Sequence, residues 1–321
     1  MTTAPPPLPD APFRFDRPLT PDSYVWWYLD AFSDDGGHGL TLIAMLGTVF
    51  SPYYAWARRR GPTDPLQHCA LNVALYGGTG RRWCMTERDA GAVERSSQRL
   101  RIGPSQVHWD GRALMIDIDE RTAPLPRRVR GRIKVDIAAF CSGGGHALDA
   151  AQQHIWQPLA PVARVAVEME QPQLRWRGQA YLDSNFGARP LEQDFVGWTW
   201  ARGTRDGITT VTYDVTLRQG GARSIALRFD AAGNSEGFDP PPPTALPRTG
   251  WGIERSTRCD NSLRPTVRQT LEDGPFYARS LIDTWHDGQP LHEVHESLSL
   301  TRFASRWVQV LLPVRMPRRR C

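Results

Sequence analysis

Lysine is almost missing from this chain. Lys134 is the only one among 39 basic residues, so the positive charge is carried by arginine. The formal net charge is +5, and the basic residues are spread over 321 positions except at Arg58-Arg59-Arg60 and Arg318-Arg319-Arg320. Nucleic-acid binders concentrate such charge in a stripe or patch, so that class is disfavoured. Cysteine is scarce too. The five cysteines form no Cys-x-x-Cys pair and read as scattered reduced thiols of an intracellular protein. Long apolar runs are lacking: the longest, Gly39 to Phe50, falls short of the ~20 residues that cross a bilayer. The opening MTTAPPPLPDAP has neither a basic start nor an apolar stretch, so no signal peptide is expected.

Several catalytic motifs are also missing. No Gly-x-Ser-x-Gly elbow occurs, which disfavours a serine hydrolase of that type. No dinucleotide fingerprint occurs either, as expected of a reaction without a redox cofactor. His292-Glu-Val-His295-Glu lacks the spacing that puts two histidines on one helical turn, and on a strand the two rings face opposite sides. No metal site is expected there. Ser142-Gly-Gly-Gly-His146 lacks the lysine and helix of a phosphate loop and reads as a turn.

What is abundant is tryptophan, with twelve residues, and short β-prone segments between turn signals. Residues 1–22 are proline-rich and read as a loose arm. Arg128 to Ile137 alternates Val129, Ile133, Val135 and Ile137 with charged residues, the pattern of an antiparallel strand wet on one side. Ile208 to Leu217 and Ile225 to Phe229 repeat it. Further strands are expected at Gly252–Arg258, Thr266–Leu271, Phe276–Asp283 and Val294–Leu300. Ser51 to Asp64 reads as a loop, and Ala147 to Trp156 is the best helix candidate. The sum is an all-β protein, with a domain boundary expected near Ala160-Pro161.

One stretch organises the rest. Between Gly178 and Arg202 a single carboxylate, Asp183, lies among Tyr181, Asn185, Phe186, Phe195, Trp198 and Trp200. On a strand Tyr181 and Asp183 share a face, as do Trp198 and Trp200. Burial among aromatics disfavours the charged carboxylate and raises its pKa, by as much as ~3–5 in full burial. A carboxyl kept neutral at pH 7 donates a proton. The alternative is a turn-capping Asp-Ser-Asn beside ordinary core tryptophans. Trp26-Trp27-Tyr28 stands equally between a substrate-lining and a packed first strand, and Asp30, on the side of Tyr28, is a candidate second polar group.

Gly178, Ala180, Tyr181, Asp183, Asn185, Gly187, Pro190-Leu191-Glu192, Phe195, Trp198, Trp200 and Arg202 together resemble the main block of the acyclic carotenoid 1,2-hydratases, or hydroxyneurosporene synthases. Tyr24-Val-Trp26-Trp27-Tyr28-Leu-Asp30, Gly47-Thr-Val-Phe50-Ser-Pro-Tyr53-Tyr54, His68-Cys-Ala-Leu-Asn72, Trp83-Cys-Met-Thr-Glu87-Arg88 and His154-Ile-Trp156-Gln-Pro158 extend the resemblance. Asp89 departs from it, standing where a glycine is expected, and the C-terminal third matches less distinctly.

The resemblance implies two tandem lipocalin-like antiparallel β-barrels, here 23–160 and 161–321 after the arm 1–22. It implies a cofactor-independent hydro-lyase of carotenoid biosynthesis in a photosynthetic bacterium, hydrating neurosporene, lycopene and their derivatives. Asp183 would be the acid, with His154, Trp156 and Tyr181 as partners. His154 would either orient Asp183 or hold the attacking water. Trp27, Tyr28, Trp198 and Trp200 are the expected substrate-lining residues. An isolated alkene must be protonated before water adds. A desolvated acid and aromatic faces around the cation, worth ~2 kcal/mol or more each when water is excluded, serve that step. The substrate lives in a bilayer, so a cytoplasmic protein peripheral to the inner membrane is expected, with Arg58–Arg60 or Arg318–Arg320 as docking residues. A lipocalin-like carrier of a hydrophobic ligand, which would not need Asp183, is the rival reading.

Overall fold

Aromatic and β-branched segments of opposite-facing side chains need a partner on each buried face. The chain meets that need by wrapping one sheet against another. The computed structural model describes residues 11–319, and within them a 13-stranded sheet, a seven-stranded sheet and a two-stranded ribbon form. Neighbouring strands are antiparallel, apart from the short Arg318–Arg319 beside Arg82–Arg88. The middle of the first sheet runs Arg82–Arg88, Cys69–Tyr76, Gly39–Leu46, Tyr24–Ser33, Leu174–Gly187, His154–Gln171, Arg128–Asp136. The second centres on Ile208–Leu217, Phe195–Arg205, Gln289–Ser299 and Tyr277–His286.

The strand Tyr24–Ser33 is the wall between two cores. Val25, Trp27, Leu29 and Ala31 point into the core curled inside the first sheet. Tyr24, Trp26 and Tyr28 point the other way, into a core shared with Phe195, Trp198, Trp200 and Tyr213 of the second sheet. The same period of two sorts Leu40, Leu42 and Ala44 from Met45. Farther from this wall the first sheet has one wet face: Val129, Ile133 and Val135 are buried while Arg130, Arg132 and Lys134 are exposed.

Four sequence expectations need correction. Residues 11–22 are not a loose arm: Phe13 and Phe15 are buried, and Phe13 accepts a hydrogen bond at 2.8 Å from Trp27 Nε1. Residues 1–10 of that arm lie outside the described residues. The loop after Ser51 holds a short helix, Pro52–Arg58, because Ser51 caps it and Pro52 sits where a missing N–H costs nothing. Ala147 to Trp156 is not helical, since the Asp149 carboxylate accepts the N–H groups of Gln153 and His154 and feeds them into a strand. Finally, the strand His154–Gln171 runs through Ala160-Pro161. A bulge there absorbs the proline, which cannot donate to the ladder. The chain leaves the first sheet only after Gly187 and enters the second at Phe195.

Candidate active site

The two sheets enclose a cavity of about 370 Å³. Trp26, Tyr28, Phe50, Trp83, Trp198, Trp200, Tyr213, Phe276 and Tyr277 supply its aromatic walls. Asp183, Glu272, Asp273 and Glu296 supply carboxyl groups, and Arg81, Arg82 and Arg315 also line it.

Asp183 sits mid-strand, paired in register with Tyr28 on one side and Pro158 on the other. It is no turn cap. Trp156 Nε1 donates to its Oδ2 at 2.8 Å and Tyr181 Oη donates to the same oxygen at 2.9 Å. Asn185 Nδ2 stands 3.5 Å from Oδ1, a long contact. Two donors fill Oδ2, so Oδ1 is the oxygen left to carry a proton. Burial drives the Asp183 carboxyl up to about 7, against the two donors, and the nearby Glu296 and Asp30 charges add to the rise. Tyr181, buried beside that carboxyl, stays a phenol, its own pKa well above the ordinary value. Asn185 Oδ1 and Trp200 Nε1 are buried on the same walls without a hydrogen-bond partner among the described residues. Such groups mark places for water.

Trp156 and Tyr181 therefore touch Asp183 as expected. His154 does not. It pairs with Gly187, four residues along the strand from Asp183 and about 13 Å away. Both ring nitrogens are already occupied, so it neither orients Asp183 directly nor holds a free water. Asp194 accepts at 2.8 Å from Nε2 and is itself ion-paired with Arg189. Tyr24 Oη is 2.9 Å from Nδ1. A carboxylate only accepts, so Nε2 carries the proton and Nδ1 accepts from the phenol. Burial holds the His154 pKa below its usual value despite Asp194, which keeps the ring neutral. Tyr24 stacks on Trp26 at 5.1 Å, and Trp26 lines the cavity. Gly187 permits this arrangement, because a Cβ there would lie 2.7 Å from His154 Nδ1 and 2.6 Å from the Tyr24 ring.

Tyr28, Trp198 and Trp200 line the cavity as expected. Trp27 does not: strand alternation turns it into the first sheet's core, edge-on to Phe15 at 4.8 Å. Asp30 is sealed beneath the cavity, bonded by Arg202 Nε at 2.9 Å and by Arg279. Arg279 also pairs with Glu296 and donates at 2.6 Å to the Tyr28 hydroxyl. Sequence reasoning missed Glu296, Arg279 and the Tyr76–Glu272 hydrogen bond. A glutamate alternating with Val294 and Leu298 on an apolar strand was the available signal. His292 is exposed and His295 buried, on opposite faces of that strand.

The sequence profile of the carotenoid hydratase CrtC family matches residues 42–321. The chain belongs to this family. The chain is similar to the acyclic carotenoid 1,2-hydratase of Thiocapsa roseopersicina, 58% identical over 95% of this chain and 75% of that protein. That of Rubrivivax gelatinosus is 49% identical over 95% and 76%. In fold this carotenoid hydratase family member is similar to an AttH-type protein from Nitrosomonas europaea, with a TM-score of 0.63 at 16% identity over 92% of this chain and 99% of that one. It is also similar to kievitone hydratase from Nectria haematococca, with a TM-score of 0.54 at 9% identity over 93% and 94%. These likenesses identify the paired curled sheets as the lipocalin-like all-β architecture. Among the described residues no helix is long and apolar enough to cross a membrane.

Proposed function

We propose that the chain adds water across the terminal C1=C2 double bond of acyclic carotenoids such as neurosporene, lycopene and their derivatives, without a cofactor. The observation that carries this reading is a buried carboxyl, Asp183, its pKa raised to about 7 by burial in an aromatic cavity, with one oxygen met only by the long Asn185 contact. Oδ1–H gives its proton to C2. The electron pair of the alkene forms the new C–H bond and leaves a tertiary cation at C1. Trp198, Trp200, Tyr28 and Tyr213 face the space where that charge develops, and aromatic faces stabilise it. Trp156 and Tyr181 stabilise the carboxylate left behind by their hydrogen bonds. Water seated at Asn185 Oδ1 adds to C1, and the resulting oxonium returns a proton to Asp183. Atoms and charge balance, and the acid is regenerated. His154 acts as a positioning residue through Tyr24 and Trp26. A polyene resides in a bilayer, so the chain works peripherally at the cytoplasmic face of the membrane that holds it.

Incubating the purified protein with lycopene or neurosporene, no cofactor added, should give a pigment heavier by one water. The product should vanish with Asp183→Asn. Unchanged pigment bound to folded wild-type protein would instead establish the carrier reading.

A further inference from the structure

Most large apolar side chains that stay exposed are gathered in one place. They are Leu125, Ile208, Trp251, Trp307, Val310, Leu311 and Val314, and the last five form a single patch in sequence or by contact. The helix Arg306–Leu311 and the following turn Leu312–Val314 carry four of them. Trp307, Val310, Leu311 and Val314 recur at the spacing of one helical face. Val308, Leu312 and Met316 take the opposite face and pack into the core between the sheets. This segment is thus apolar on both sides, and on its outer side Val310, Leu311 and Val314 stay exposed among the described residues.

The outer side is also built, not frayed. Trp251 stacks on Trp307 at 6.1 Å with planes 15° apart. Arg302 ties the two together: Nη2 donates to the Trp251 carbonyl at 2.7 Å, Nε donates to the Pro275 carbonyl at 2.6 Å, and the guanidinium stands 5.7 Å from the Trp307 ring. Two rigid indoles beside exposed aliphatic groups suit a boundary between water and hydrocarbon. The charge on the helical segment has one sign, while beside Trp251 the Asp273 carboxylate is taken up by the Gly250 N–H and Glu254 is paired with Arg248. Residues 300–319 contain no aspartate or glutamate, and Arg306, Arg315 and Arg319 are exposed. The same segment helps line the cavity, through Leu312, Arg315 and Met316, as do Arg81 and Arg82.

We infer that residues 306–314, with Trp251, are the surface by which this protein lies on an anionic lipid bilayer, with the mouth of the cavity opening onto the hydrocarbon. The apolar face enters the headgroup–acyl boundary and the arginines bind lipid phosphates. The two arginine runs expected to dock are not intact patches. Arg58 is buried against Glu192 at 2.9 Å, and Arg318 is tied to Glu87 at 2.5 Å. The membrane role of this surface stands on its geometry; only the link to turnover rests on the proposed reaction.

The test is flotation of the full-length protein with vesicles of phosphatidylcholine, with and without phosphatidylglycerol. Wild-type protein should float with the anionic vesicles and less so at high salt. Val310→Asp should lower the bound fraction by about tenfold or more, since it puts a charge where an apolar group was buried. Leu125→Asp, an equally exposed apolar site elsewhere, should leave flotation unchanged. Hydration of vesicle-borne carotenoid should fall with Val310→Asp while hydration in detergent stays as in wild type. No flotation of the wild type, equal flotation of Val310→Asp, or an equal loss with Leu125→Asp each overturns the inference. So does a solution dimer that Val310→Asp dissociates without any vesicle binding, because a second copy then covers this face. Flotation that depends on Val310 without hydration in any medium supports this surface and removes the proposed reaction.

Discussion

Tyr28 reaches from the first sheet to the second and donates its hydroxyl to Glu296 Oε1 at 2.8 Å. Tyr28 is also the residue opposite Asp183 in the strand register. One residue therefore links the strand position of the proposed acid to a carboxylate of the facing wall. That carboxylate charge raises the Asp183 pKa, after burial itself.

Replacing Asp183 by Asn keeps the shape and removes the proton. Turnover should fall by ~10²–10⁴ or more, while carotenoid still co-purifies with the variant. Pigment analysis and absorbance of the bound polyene check both. Full turnover by Asp183→Asn would remove Asp183 as the acid.

Activity should fall as pH rises through about 7, because only the protonated form of Asp183 donates. Glu296→Gln removes a charge that raises that pKa, so the alkaline limb should move to lower pH. Trp156→Phe removes a donor that lowers it, so the limb should move to higher pH. Rate profiles of the three proteins on one carotenoid decide the matter, and coincident limbs would contradict it.

The same shift has a consequence for stability. The folded pKa of Asp183 is raised from 3.8 to about 7, so the native state holds a proton that the unfolded chain has released. Stability is lost as pH rises across that interval and the loss is complete above it. Asp183→Asn should therefore be the more stable protein above pH 7, by up to about 4 kcal/mol. Denaturant melts at acid and alkaline pH should diverge in that direction. Equal midpoints at both would mean that Asp183 is ionised in the native protein.

His154 and Tyr24 supply a contrast. Tyr24→Phe leaves His154 Nδ1 buried without its donor, at a cost of ~1–3 kcal/mol. Gly187→Ala forces the same pair apart, with a comparable loss expected from overpacking. Both should lower turnover through the seating of Trp26 while the alkaline limb stays where Asp183 puts it. A displaced limb in Tyr24→Phe would show that His154 acts on the acid itself.

Much of this was legible in the chain. The alternation of Arg128 to Asp136 reads directly as a half-wet strand, and the aromatic company of Asp183 reads as a buried acid. Alternation even separates Trp27 from Tyr28, yet it cannot say which face meets the cavity, because the strand Tyr24–Ser33 is buried on both. Glu296 and Arg279 were not legible, since they meet Tyr28 across 268 and 251 residues of sequence. Ala160-Pro161 suggests a domain boundary, but a bulge carries the strand past it. The helical face at Trp307, Val310, Leu311 and Val314 is too short for its period to stand out from a β-rich background.

A chamber of about 370 Å³ is near the small end of ligand pockets, ~300–1,000 Å³. On the proposed reaction it would hold one tip of a long polyene and leave the remainder outside. A symmetric carotenoid must then withdraw, turn end for end and enter again before its second tip can react. The enzyme would be distributive: the singly hydrated pigment should build up free in the lipid and compete with fresh substrate. The ratio of single to double addition would then follow carotenoid supply and reaction time more than any property of the acid.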